Sequence, residues 1–219
     1  MYDPGGGGPR RVRALDRPGT RSIGPYDLLE PLGRGGMGVV YRARHRDLQQ
    51  FRAIKILPPH LATDESFVAR FKREATIAAG LRHQNVVLIY DVGQQDDYHY
   101  IVMELVEGRP LREVIHADKP IPIDRAIRLL RPLAEALDFA HQHGVIHRDV
   151  KPTNVIVGED DHVTLLDFGI ARAIESAQQF TREGLVVGTP EYMAPEVVVG
   201  GQPGASADLY ASASSPSRC

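Results

Sequence analysis

The chain has 219 residues, with 26 Lys and Arg against 28 Asp and Glu, a formal net charge of −2. That length suits one domain or two small ones, and 42% hydrophobic with 25% charged residues is the balance of a soluble chain able to bury a core. Near-neutral charge excludes a strong electrostatic footprint for nucleic acid or anionic membrane. No run of about 18 apolar residues is present to span a bilayer. The single cysteine, Cys219, excludes an internal disulfide framework and a cysteine-rich metal site.

Residues 1–22 are rich in Gly, Pro and Arg, with Gly5 to Gly8 in succession. Such a segment buries too little apolar surface to offset its ordering entropy and reads as a disordered tail. Arg10-Arg11 is not followed by the apolar stretch of an export signal, so a cytoplasmic location is expected.

From Tyr26 the pattern changes. Tyr26 to Leu32 and Val39 to Arg44 read as short strands around a glycine-rich turn, and Phe51 to Leu57 as a third strand ended by Pro58-Pro59. Residues 64–80 read as a helix capped by Thr63 or Asp64, with Phe67, Phe71, Ala75 and Ala78 at helical spacing. Val86 to Asp91 and Tyr98 to Met103 form two further strands around the turn Gly93 to Asp97. This portion is a small, mostly antiparallel sheet with one helix.

After Glu107-Gly108 the pattern becomes helical. Ile123 to His143 carries an apolar stripe of Ile123, Ala126, Ile127, Leu130, Leu133, Leu137 and Ala140, expected to be buried. Pro132 lies inside it and strains the helix by roughly 3 kcal/mol unless compensated. Val155 to Val157 and Val163 to Leu166 flank the turn Gly158 to Asp161 as a hairpin.

Gly33, Gly35 and Gly38, with Val40, form the pattern G-x-G-x-x-G-x-V. Such glycines let backbone N–H groups approach anionic oxygens. A dinucleotide-binding turn needs a following helix, whereas a second strand follows here, so a hairpin lying over phosphates fits better. Lys55 sits between Ile54 and Ile56 on the face of Ala53; an edge-strand lysine in solvent is the alternative. Glu74 lies on the apolar side of its helix, three residues after Phe71. A carboxylate there needs a partner, either Lys55 or a surface cation at the rim of the stripe.

The most specific signal is His147-Arg148-Asp149-Val150-Lys151-Pro152-Thr153-Asn154, with Asp167-Phe168-Gly169 beyond it. Its five specified residues (His, Arg, Asp, Lys, Asn) occur by chance roughly once in three million starting positions. Here the chain resembles the eukaryotic-type protein kinases from Tyr26 to about Ala211. It is most similar to the receptor-linked bacterial Ser/Thr kinases, in Gly33 to Gly38, His147 to Asn154 and Asp167 to Arg172. The resemblance implies a two-lobed α+β fold, with an antiparallel-sheet N-lobe over 23–106 and a mainly helical, incomplete C-lobe over 107–211. It also implies transfer of the ATP γ-phosphoryl group to Ser/Thr hydroxyls of proteins with Mg²⁺.

By the same resemblance, Leu32, Gly33, Arg34, Gly35, Gly36, Met37, Gly38, Val39, Val40 and Ala53 surround ATP. Lys55 holds its α/β-phosphates while pairing Glu74. Met103 stands behind the adenine, and the backbone of Glu104 to Val106 binds its edge. Asn154 and Asp167 hold Mg²⁺, Asp149 orients the substrate hydroxyl, and Lys151 neutralises charge near the γ-phosphate in the Ser/Thr-kinase pattern. The activation segment runs from Asp167 to Glu196, with Thr189 contacting the catalytic loop. Thr181, then Ser176, are the phosphosite candidates, where phosphate would pair with Arg148; an ordinary loop hydroxyl is the alternative reading of Thr181. Protein substrates, and self-association for autophosphorylation, are the partners implied.

Asp208-Leu209-Tyr210-Ala211 resembles the start of a long C-lobe helix, but Ser212 to Cys219 is polar and Pro216 argues against helix continuation. Residues 212–219 therefore read as a divergent tail on a truncated domain. Ser212 to Ser215 can be encoded as TCG GCG TCG TCC, and one set of letters shifted one base behind a C reads CTC GGC GTC GTC, Leu-Gly-Val-Val, so a one-base frameshift is the expected cause. Two functions stand: an active Ser/Thr kinase, or an inactive fragment serving at most as a nucleotide-binding or decoy module with an exposed apolar face.

Overall fold

In a computed structural model, residues 21–35, 38–57, 59–168, 192–201 and 203–217 are described. Six strands form one antiparallel sheet in the order β1-β2-β3-β4-β6-β5. They are β1 (Arg21–Ile23), β2 (Tyr26–Gly35), β3 (Gly38–His45), β4 (Phe51–Ile56), β5 (Ile89–Gln95) and β6 (Tyr98–Met103). Between β4 and β5 lie α1 (Pro59–Ala62) and α2 (Glu65–Ala79). Asp64 caps α2, its carboxylate accepting the Phe67 N–H at 3.2 Å.

The second half carries β7 (Arg109–Pro110), α3 (Leu111–Ala117), α4 (Ile123–Gln142), β8 (Val155–Val157), β9 (Val163–Leu165), α5 (Pro195–Val198) and α6 (Ala205–Ser217). A three-stranded sheet, β7-β8-β9, lies among these helices. The α+β architecture is therefore the expected one. The expected tail ends earlier than residue 22, because Arg21 and Ser22 pair with Leu28 and Asp27.

Strand alternation divides the core. On β4, Ala53 faces a large apolar cluster shared with α2, α3, α4, β8, β9 and Ala211 of α6. Ile54 and Ile56 face a second cluster with Tyr26, Leu28, Tyr41, Tyr100 and Val102. The first cluster joins both halves, and backbone bonds reinforce the seam: Leu165 N–H to Asn85 O at 2.8 Å and Val87 N–H to Leu165 O at 3.0 Å. These bonds, with a parallel bridge from Val86 to Leu165, explain why β5 begins at Ile89 rather than the expected Val86. The turn after it is correspondingly short, Asp96-Asp97.

Gly93 lies within β5 rather than in the turn, directly opposite Tyr100. A Cβ added there would come within 2.2 Å of the buried Tyr100 ring. Gly93→Ala is therefore expected to destabilise the fold by about 1–3 kcal/mol through overpacking, read as a lower urea midpoint with an unchanged slope.

Two helical expectations are corrected. The stripe of α4 that is buried comprises Leu129, Leu133, Ala136, Leu137 and Ala140, while Ile123 and Ile127 are 72% and 49% exposed. α4 lies against β9 and α6, and its buried positions begin at Leu129. The second correction concerns α6, which continues through Ser212 to Ser217. Within the helix the Ser212 hydroxyl donates to the Leu209 carbonyl at 2.7 Å. Pro216 sits in the final turn, where its missing N–H removes only one helical bond.

Candidate active site

The β2–β3 hairpin pairs Gly33 with Val40, Arg34 with Val39 and Gly35 with Gly38. Gly38 has φ of 125°, a backbone state that side chains with a Cβ rarely adopt. Around Gly33 and Gly35 a Cβ would meet nothing within 4 Å, so their faces are open. Gly36 and Met37 lie outside the described residues. Leu32 is exposed at the hairpin base, and Val40 packs on the first core cluster. Ala53 pairs with Met103 across the sheet, and both are buried. Past Met103, the Glu104 N–H donates to Leu88 O at 2.9 Å. The Glu104 N–H is thus taken, and Val106 follows half-buried.

Lys55, between Val40 and Ile101 on the adjoining strands, is 5% exposed. The solvent-lysine alternative is thereby set aside. Its Nζ lies 2.8 Å from Asp167 Oδ1. Glu74 falls within α2, but its side chain, and hence the expected pairing with Lys55, lies outside the described residues. Burial works against ionisation of Asp167, yet the Lys55 charge and hydrogen bond outweigh it and hold the carboxyl below its ordinary pKa. The resulting stability is present above the unfolded value of 3.8 and is lost as pH falls through the folded one. Lys55→Met removes the dominant opposing charge while burial persists. The Asp167 pKa is then expected to rise above its present position, which a carbon-detected NMR titration of that carboxyl reads.

The loop after α4 gathers the other groups. Asp149 Oδ2 accepts from Lys151 Nζ at 2.7 Å and from Asn154 Nδ2 at 3.0 Å. Asn154 Nδ2 also donates to the Asp149 carbonyl at 2.9 Å. With its amide nitrogen spent on Asp149, Asn154 offers its amide oxygen as a ligand. That oxygen and the Asp167 carboxylate are hard donors suited to Mg²⁺. Among the described residues no group of three or more His, Cys, Asp or Glu is arranged to hold a metal.

His147 is fully buried and links the two catalytic segments. Its Nε2–H donates to Leu166 O at 2.8 Å, and its Nδ1 accepts the Asp149 N–H at 3.2 Å. Both contacts suit the neutral ring, and burial pushes its pKa down. Phe168 packs on it with ring centroids 4.8 Å apart. Arg148 and Asp167 adopt left-handed φ values of 65° and 46°, each costing about 1–3 kcal/mol, so surrounding contacts must hold them.

Asp208 supplies those contacts on the Arg148 side. It is 1% exposed and accepts the His147 N–H and Arg148 N–H, each at 2.7 Å. His141, near the end of α4, also reaches it at 2.8 Å. Sequence reading marked Asp208 only as the start of a helix and passed over His141. Their one signal is an acid in an Ala-rich helix and a histidine at a helix end. Gly169, Ser176, Thr181 and Thr189 lie outside the described residues.

A hairpin with open glycines, a buried lysine–aspartate pair and an aspartate held by lysine and asparagine define a protein kinase domain. The chain belongs to that family, whose model, described as "Protein kinase domain", matches residues 26–214. It is 43% identical over 189 residues to the serine/threonine-protein kinase PknB of Mycobacterium leprae and 41% identical over 193 residues to PrkC of Bacillus subtilis, covering 84% and 88% of this chain. The chain spans 30% of the length of each of these relatives. The crystal structure of the Mycobacterium tuberculosis PknI kinase domain superposes with a TM-score of 0.71 at 32% identity, covering 90% of this chain and 77% of that one.

Proposed function

We propose that this chain transfers the γ-phosphoryl group of ATP to Ser and Thr hydroxyls of protein substrates. The observation that carries this reading is Asp149, bound at once to Lys151 and Asn154, with Lys55 and Asp167 as a second cation–carboxylate pair. Phosphoryl transfer rests on positioning and on charge stabilisation rather than on covalent chemistry. Asp149 would accept a hydrogen bond from the substrate hydroxyl and take its proton. Lys151 would move from Asp149 toward the γ-phosphate as negative charge gathers there. Lys55 would exchange part of its bond with Asp167 for the α/β-phosphates. Asn154 and Asp167 would hold Mg²⁺, which would supply charge neutralisation at the phosphates.

The adenine would lie between Leu32, Val40 and Ala53, with Met103 behind it. With the Glu104 N–H donating to Leu88, the Glu104 carbonyl and the Val106 backbone are the groups left for the adenine edge. Glu74, on α2, would steady Lys55. Thr181, with Ser176 second, would take phosphate on the activation segment, and a second copy of the chain would serve as substrate for that step. Among the described residues no helix is long and apolar enough to cross a membrane; the ATP requirement favours the cytoplasm.

The test is phosphate transfer from radiolabelled ATP with Mg²⁺ to a generic basic protein by the purified chain. Incorporation into Ser or Thr above that of the Asp149→Asn variant supports the reading; equal incorporation overturns it.

A further inference from the structure

His99 lies on β6, two residues before Ile101 and four before Met103, so strand alternation puts its side chain on their face. That face packs against α2, whose Phe67, Phe71 and Ala75 share a cluster with Ile101 and Met103. His99 is 6% exposed, and its Nδ1 is buried with no hydrogen-bond partner among the described residues. A neutral imidazole tolerates this when Nδ1 is the unprotonated nitrogen. Protonation places a hydrogen on Nδ1 that meets no acceptor among the described residues, in a ring already largely withdrawn from solvent.

The charged neighbours do not relieve the problem. Lys72, on α2, disfavours the imidazolium, and Asp97, in the β5–β6 turn, favours it more weakly than Lys72 opposes it. Lys72 is itself fixed over this edge of the sheet, its Nζ 3.1 Å from Gln94 Oε1, and Gln94 is the strand partner of His99. Just before α1, the Leu57 N–H donates to the His99 carbonyl at 2.9 Å.

We propose that His99 makes the seat of α2 on the sheet acid-sensitive, so that protonating this one ring loosens the helix from the strands beneath it. Desolvation, followed by Lys72, pushes the ring below its ordinary value of 6.5, so the unfolded chain binds this proton first and stability is lost as pH falls through 6.5. The property belongs to the fold and does not depend on phosphate transfer.

The experiment compares the full chain with His99→Leu, which fills the site without a titrating group, and Lys72→Met, which removes the opposing charge. Urea unfolding and amide protection factors along α2 are read from pH 7.5 to 5.5. If His99 stays neutral when folded, its share of the folding constant falls by up to about eightfold between pH 7 and 5.5. Protection along α2 falls with it. In His99→Leu that acid-side loss is expected to vanish, and in Lys72→Met to shrink. An acid-side loss of equal size in the parent and His99→Leu overturns the proposal. So does a loss spread evenly over the chain with none specific to α2.

Discussion

Asp149→Asn is expected to lower phosphate transfer by about 10²–10⁴-fold while leaving nucleotide affinity within a few-fold of the parent. The amide keeps the size of the carboxylate and can still accept one hydrogen bond. It cannot take the hydroxyl proton, and it replaces the charge that attracts Lys151 at 2.7 Å. In the proposed reading, nucleotide binding rests on other groups, Lys55, the hairpin and the backbone after Met103, so the two measurements should separate. Single-turnover transfer and fluorescent-nucleotide titration on the same preparation make the comparison. Parallel loss of both would mean that Asn154, bonded twice to Asp149, has been displaced and that the residue acts through structure.

Asp208→Ala is expected to cost about 3–5 kcal/mol of stability, the largest loss from any single side chain of the site. The substitution leaves the His147 and Arg148 N–H groups and the His141 ring without their acceptor. Arg148 already stands at φ of 65°, so losing its anchor releases strain and lets the loop relax. Asp208→Asn should fall between parent and alanine, since it keeps one acceptor oxygen. Chemical denaturation reads the global effect. Hydrogen exchange at the His147 and Arg148 amides reads the local one, and these should be among the first to lose protection. A loss below about 1 kcal/mol would show that water replaces the carboxylate.

The strands and helices were legible where a periodic pattern met a turn signal. Asp64 before Phe67 announced the α2 cap, and the glycines between Leu32 and Val39 announced a hairpin. The candidate catalytic cluster was legible for a different reason: Asp149, Lys151 and Asn154 lie within six residues, so their meeting is local. Lys55 and Asp167 are over a hundred residues apart, and no spacing rule ties them. The errors also have physical causes. Ile123 and Ile127 fit a helical stripe, but a stripe becomes buried only where another element lies against it. Pro216 is a helix breaker in an interior, and in a last turn it removes little.

Length, composition and charge by themselves excluded a disulfide scaffold and a polybasic binder. The local motifs carried the family resemblance, because the glycine-rich hairpin and the His147–Asn154 loop are each built from one short stretch of chain. Only the tertiary structure decided that Lys55 faces Asp167. Only it revealed that Asp208 of α6 anchors the loop containing Asp149, and that the His99 Nδ1 is buried on the α2 face of the sheet without a partner among the described residues. Each of these depends on groups distant in sequence being desolvated together, and burial is a property of the packed chain rather than of any segment within it.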